Sequence, residues 1–168
     1  DQIPTLDYIP ENLTLTKGNQ SSDLPLNATL TGPGVITSWE ISPTLPLGLN
    51  FGTNNGTIWG IPTVLQTTAV TYTVWANNSG GSVDKTINIT INDISVSGIT
   101  YSTENITLSL NHTMTSTTPS TSGGSATSFA IHPSLPTGLS FDSSTGKISG
   151  TPEGLQTTPV TYTIWANN

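Results

Sequence analysis

One stretch of this chain is used twice, and that repeat limits what it can fold into more than any other feature. Leu45–Asn78 reads LPLGLNFGTNNGTIWGIPTVLQTTAVTYTVWANN, and Leu135–Asn168 reads LPTGLSFDSSTGKISGTPEGLQTTPVTYTIWANN. Every landmark moves by 90 positions: Pro46 to Pro136, Phe51 to Phe141, Tyr72 to Tyr162, Trp75 to Trp165. A copy this long without slippage is one structural unit used twice. The earlier part of the unit returns at an offset of 93, with Tyr8 matching Tyr101 and Asn12 matching Asn105. Three residues are therefore lost between Asn105 and Phe129, in a polar region where a loop absorbs the change and a strand would not. The boundary falls between Asp93 and Ile94. It gives units 1–93 and 94–168 with no long linker, expected to abut end to end.

Within the unit the local signals are those of short strands. Ile3–Ile9 and Asn12–Thr16 alternate apolar and polar residues around Pro10. Val35–Ile41 puts Trp39 and Ile41 on one face. Pro43 and Pro46 keep the next segment extended. Leu49 and Phe51 point inward, Thr53-Asn54-Asn55-Gly56 is a hairpin turn, and Thr57–Gly60 leaves it. Ala69–Ala76 is the clearest strand, Ser79-Gly80-Gly81 reverses it, and Val83–Ile91 returns. No window of useful length has helical periodicity.

About seven strands per unit and no helix predict an all-β chain of two tandem immunoglobulin-like antiparallel β-sandwiches. Tyr72-Thr73-Val74 and Tyr162-Thr163-Ile164 have the order of a tyrosine corner, with Val or Ile where immunoglobulin domains carry Cys. Trp39 and Phe129 share one repeat position, suited to the core aromatic. The second unit stops at Asn168, the equivalent of Asn78, so the strand that follows in the first copy is missing from it. The expectation is either a cut piece of a longer repeat array or a strand donated by another chain, because an unpaired edge and an open core are costly.

These motifs resemble a known family. Leu-Pro-x-Gly-Leu-x-Phe, Thr-Gly-x-Ile-x-Gly-Thr-Pro and Tyr-Thr-x-x-Ala-x-Asn-x-Gly-Gly are similar to the Putative immunoglobulin and dystroglycan-type cadherin-like repeats. Such repeats are strung along large surface proteins of bacteria and archaea. The resemblance covers both copies. The second motif is replaced in the first copy by Asn55-Gly56-Thr57-Ile58-Trp59-Gly60-Ile61-Pro62. The third is cut short at Asn168 in the second.

The repeat also tests for chemistry. His132 falls on Ser42, Asp142 on Gly52, Glu153 on Thr63, and Glu40 on Ala130. The ionisable positions drift while Pro, Gly, Leu, Phe, Tyr and Trp return. With two His and no Cys among scattered carboxylates, no triad, zinc site or paired-acid site assembles. The chain reads as non-catalytic, with no catalytic residue and no cofactor.

Calcium is the sharper alternative. Tyr8-Ile9-Pro10-Glu11-Asn12 resembles the strand start of true cadherins, Glu104-Asn105 repeats it, and Asn92-Asp93 lies at the junction. The resemblance makes Glu11, Asn92 and Asp93 the calcium candidates. Calcium takes six to eight oxygens, and the cadherin Ala-x-Asp carboxylate is replaced here by Ala76-Asn77-Asn78. Solvated strand-entry and linker residues are therefore the better reading.

Eight Asn-X-Ser/Thr sequons begin at Asn12, Asn19, Asn27, Asn55, Asn77, Asn88, Asn105 and Asn111. Chance would place about four among this many Asn, Ser and Thr. Asn12, Asn88 and Asn105 alternate with apolar neighbours, so they face water, as a glycan must. This points to N-linked glycans and an extracellular, cell-surface location. No Arg occurs, the cations are Lys17, Lys85 and Lys147, and the net charge is −7. Nucleic acid, which needs a basic face, is therefore a poor partner. No apolar run approaches the roughly 20 residues of a membrane span. With no initiator Met or signal peptide, the sequence reads as a mature protein or a piece of a longer one.

Trp75 and Trp165 alternate away from the core-facing row and are candidate contacts for sugar or a neighbouring chain. The simpler expectation is that Leu45–Leu49 covers Trp75. The functional expectation is a structural module of a surface stalk, adhesin or filament, with neighbouring copies as partners and donor-strand addition as one route of assembly. The alternatives are a carbohydrate- or protein-binding adhesion module and an ancillary domain of a large secreted enzyme.

Overall fold

A computed structural model describes all 168 residues. Every regular element is a strand, and the chain divides into units Asp1–Asp93 and Ile94–Asn168. The first unit is built around a long hairpin, β7 (Gln66–Asn78) and β8 (Gly81–Asn92), joined through Ser79 and Gly80. Their alternation makes the core. Tyr72, Val74 and Ala76 of β7 and Ile87, Ile89 and Ile91 of β8 are all buried on one face. Each of the isoleucines contributes about 1.5–3 kcal/mol by leaving water.

The hairpin recruits a strand on either side. β4 (Ser38–Ser42) pairs antiparallel with β7, setting buried Trp39 opposite Ala76. β2 (Asn12–Thr16) pairs with β8, setting Leu13 beside Ile89 and Leu15 beside Ile91. The sheet order is β2-β8-β7-β4. The opposing layer is made of β1 (Thr5–Asp7) with β3 (Thr29–Thr31), and β5 (Leu49–Phe51) with β6 (Ile58–Gly60). Reciprocal backbone bonds between Leu26 and Ile58, at 2.8 and 2.9 Å, link its two halves.

One pair departs from the antiparallel expectation, because β2 runs parallel to β8. The chain leaves β1 at Ile9–Pro10 and enters the other layer without reversing. It therefore arrives beside β8 in the same direction.

Tyr8 sits between the layers, fully buried, and its hydroxyl donates to the Gly56 carbonyl at 2.6 Å. Gly56 has φ +69°, and a Cβ there would meet the Trp39 ring at 2.5 Å. The Asn55-Gly56 turn is thus specified both by backbone sign and by the ring above it.

In the second unit β9 (Val96–Thr100) pairs with β10 (Ser120–Gly123), β11 (Ser128–His132) with β14 (Thr163–Asn167), and β12 (Leu139–Phe141) with β13 (Ile148–Gly150). The Tyr8 lock returns as Tyr101, which donates to the Gly146 carbonyl at 2.5 Å. Register places the lost residues more finely than the sequence does. Asp7 pairs with Thr29, and its equivalent Thr100 pairs with Ser120, an offset of 91. Two residues are therefore lost before β10, and the third in the Gly123–Ser128 turn that replaces Gly32-Pro33-Gly34.

The two units also differ at positions present in both. Residues 105–109, equivalent to β2, form no strand, and β14 has 5 residues where β7 has 13. β8 is the ladder partner of both β2 and β7 in the first unit, and residues 94–168 do not reach the position equivalent to it.

Candidate functional site

The outward face of the four-stranded sheet carries Asn12, Trp75, Asn77 and Asn88 among the residues singled out by sequence. Glu40, Trp75 and Asp84 stand in one cross-strand row, because Trp75 pairs with Glu40 on one side and Asp84 on the other. Both acids are exposed and Trp75 is half-buried between them. The expected cover from Leu45–Leu49 does not form. Leu49 is in the core and Leu45 packs against it, on the face opposite Trp75, while Leu47 is exposed. Strand alternation decides this, since Val74 and Ala76 already occupy the core side. Trp165 is more open, at 48% exposure. Its neighbour on β11 is Ala130, where Trp75 has Glu40.

A second row holds two sequons. Thr71, Asn88 and Asn12 are in register. The Thr71 hydroxyl donates to Asn88 Oδ1 at 2.7 Å, and Asn88 Nδ2 donates to Asn12 Oδ1 at 2.9 Å. Asn12 is exposed and Asn88 half-buried. Glycans on both would leave side chains on adjacent strands only about 5 Å apart. Asn77 is also half-buried, donating to Glu40 at 3.2 Å and Ser38 at 3.4 Å. Asn19, Asn27, Asn55, Asn105 and Asn111 are exposed. Asn55 Oδ1 accepts from the Thr57 amide at 3.1 Å and helps close its turn. Asn111 has φ 60°, a left-handed conformation that Asn tolerates.

The calcium candidates do not come together. Glu11 and Asp7 both bind the Lys85 ammonium, Asp7 at 3.0 Å and Glu11 at close contact. The hydrogen bond from Lys85 holds the Asp7 carboxyl below its ordinary range, and the bond to Glu11, then that to Asp7, raises Lys85. Asn92 pairs with Thr16 at the far end of the β2–β8 ladder from Glu11, five residues or about 16 Å along the strand. The Asn92 carbonyl accepts from the Lys17 amide at 2.9 Å. The Pro10-Glu11-Asn12 segment marks the crossing between layers, whereas Asn92-Asp93 marks the end of the unit. No group of three or more His, Cys, Asp or Glu stands close enough to hold a metal ion.

Two couplings went unread in the sequence. The first is the Lys85–Asp7–Glu11 cluster. Its signal was the placement of Lys85 in the inward row of β8, between Val83 and Ile87, where only a partnered cation is tolerated. The second is Gln66. It accepts from the Tyr72 hydroxyl at 2.9 Å and donates to the Ile89 carbonyl at 2.7 Å. The tyrosine corner is thus made through a side chain six residues upstream, and Gln156 repeats it with Tyr162 at 3.2 Å.

A model of the Putative Ig domain family matches residues 4–92 and again residues 94–168. The chain belongs to the Putative Ig domain family. Its two Putative Ig domains are immunoglobulin-like repeats. No curated protein matches the sequence. Among solved structures, the crystal structure of titin domains Z1Z2 in complex with telethonin is similar over 100% of this chain and 91% of that chain. The identity is 14% and the TM-score 0.54. Human protocadherin-24 EC1-2 aligns over 99% of this chain and 94% of that chain, at 11% identity and TM-score 0.44. Mouse cadherin-23 EC22-24 aligns over 97% and 58%, at 12% identity and TM-score 0.41. At these identities the titin likeness is one of fold alone. No helix in either Putative Ig domain is long and apolar enough to cross a membrane.

Proposed function

We propose that this chain is a non-catalytic, extracellular structural module of a cell-surface stalk, adhesin or filament. One observation carries the reading. The residues that return between the two units are those that build the sandwich, such as Tyr8/Tyr101, Gly56/Gly146 and Gln66/Gln156 with their hydrogen bonds, whereas Glu40, His132, Asp142 and Glu153 have no ionisable counterpart in the other unit. Tandem units of one fold make the mechanism additive: more units make a longer reach. N-linked glycans on exposed asparagines such as Asn12 and Asn105 shield the sheet faces from proteases and from edge-to-edge association.

Antibody labelling of intact cells that express the protein tests the reading. Surface staining abolished by external protease is expected, and staining only after permeabilisation overturns it. The openness of Trp165 and the acidic flanks of Trp75 favour a second reading, adhesion to carbohydrate or protein. That reading expects glycan or partner binding that is lost in Trp75→Ala or Trp165→Ala.

A further inference from the structure

Asn55-Gly56 is the only Asn-Gly step in the chain, and it lies in the turn that receives the Tyr8 hydroxyl. The step is chemically labile. Glycine puts no side chain beside its own nitrogen, so that nitrogen can reach the preceding carboxamide, and Asn is thermolabile there. The second unit makes the same turn with Thr145-Gly146, which has no carboxamide to attack.

The turn holds both reacting groups back. Gly56 is buried, and its amide donates to the Gly52 carbonyl at 2.8 Å. Its carbonyl accepts the Tyr8 hydroxyl at 2.6 Å, and the Trp39 ring fills the space a Cβ would take. Asn55 is exposed, but its carboxamide folds back on Gly52, and Oδ1 accepts from the Thr57 amide at 3.1 Å. The nucleophile is tied inside the turn while its target stands in water.

We propose that Asn55 is a site of spontaneous deamidation gated by the Tyr8 lock. When the lock opens, the Gly56 amide loses its bond to Gly52, meets water and gives its proton to hydroxide. The nitrogen bonds to Asn55 Cγ, the Cγ–Nδ2 bond breaks, and Nδ2 takes a proton from water and leaves as ammonia. Water then opens the cyclic imide. Attack at the side-chain carbonyl leaves aspartate at position 55. Attack at the main-chain carbonyl leaves isoaspartate, whose backbone runs through Cβ and Cγ. Water enters, ammonia leaves, and nothing is oxidised or reduced. Isoaspartate lengthens the backbone just before Gly56, under a ring that leaves no room for a Cβ. The Gly56 carbonyl then misses Tyr8, and the lock does not reclose. An opening that ends in modification is therefore recorded permanently. The chemistry needs only water and is independent of where the protein is displayed.

The full chain made in a bacterial cytoplasm, where Asn55 Nδ2 carries no glycan, tests this during incubation in mildly alkaline buffer. Peptide mass mapping and isoaspartyl methyltransferase labelling read the product. The folded chain should modify Asn55 at least tenfold more slowly than the chain in urea. Tyr8→Phe should accelerate the reaction severalfold in native buffer. Tyr72→Phe removes another tyrosine bond of the same unit, to Gln66 at 2.9 Å, and should leave the rate near that of the wild type. In the wild type, urea below the unfolding transition should speed Gly56 amide exchange and Asn55 modification in the same proportion, a readout that needs no variant. Four results overturn the proposal: equal rates in folded and unfolded chain, equal rates in Tyr8→Phe and Tyr72→Phe, exchange and modification that respond differently to urea, or isoaspartate-containing chain that keeps full protection of the Gly56 amide.

Discussion

Residues 1–93 include β8 and residues 94–168 stop short of its equivalent position, and the comparison shows what that strand does in the first unit. In the first, β8 pairs with β2 on one side and β7 on the other, and Ile87, Ile89 and Ile91 close the core. In the second the same tyrosine lock, hairpin turn and β4–β7 pairing return as Tyr101, Gly146 and β11–β14. Only Met114 and Ile148 are buried among its hydrophobic residues. The lock and hairpins form from residues near one another in the opposing layer. The closed core needs the last strand. Residues 105–109, the β2 equivalent, have alternating apolar residues and form no strand.

The largest test of this contrast compares Leu13→Ala with Ile106→Ala. The same repeat position is buried in one unit and 43% exposed in the other. We expect a loss of about 2–5 kcal/mol for Leu13→Ala, the usual cost of emptying a core site, and under about 1 kcal/mol for Ile106→Ala. Hydrogen exchange resolved by unit during urea unfolding checks both. Equal losses would break the comparison.

Next is Tyr8→Phe against Tyr101→Phe. Removing the Tyr8 hydroxyl strands a buried carbonyl at Gly56 and should cost about 1–2 kcal/mol. Water reaches the half-buried Tyr101 site more easily, so its cost should be smaller. The same unfolding measurement reads it.

Thr117→Val should go the other way. Thr117 occupies the position of buried Leu26, bridging Ile148 as Leu26 bridges Ile58, and its hydroxyl is buried without a hydrogen-bond partner. Replacing it by the isosteric Val should stabilise the second unit by about 1 kcal/mol. A lowered midpoint would show that the hydroxyl is satisfied in solution.

The smallest expected effect is local and pH-dependent. The first hairpin turn is closed by Asn55, and its counterpart by Asp142, which accepts from the Ser144 hydroxyl at 2.6 Å and amide at 2.8 Å. Bonds from Ser144, then Thr145, lower Asp142 from 3.8 to about 2. Because the folded value lies below the unfolded one, the stabilisation is complete above about pH 4 and lost as pH falls through about 2. Exchange of the Ser144 amide should therefore accelerate at acid pH, beyond its intrinsic trend, while that of Thr57 should not. Parallel behaviour of the two turns would refute this.

Much of the fold was legible because period-2 alternation and fixed turns carry it. β7, β8, the Asn55-Gly56 turn and the inward rows of Trp39, Tyr72 and Val74 follow from spacing alone. The parallel β2–β8 pair did not, because alternation reports which face a residue takes and not the direction of its neighbour. The cover over Trp75 was misread for a related reason: Leu45 and Leu49 are apolar, but the core claimed them first. Glu11 looked like a calcium candidate at a strand start by its motif. Its place was decided by Lys85, 74 positions away, and no local pattern reports that distance.

The parallel placement of β2 and β8 has a mechanical consequence. β2 belongs to the entering end of the first unit and β8 to the leaving end, and they lie side by side, pointing the same way, over five paired positions from Asn12/Asn88 to Thr16/Asn92. A pull on the two ends slides one strand lengthwise along the other. The backbone bonds between them then share the load and must fail nearly together, whereas a hairpin pulled at its open end unzips one bond at a time. A unit with this clamp resists stretching along the chain.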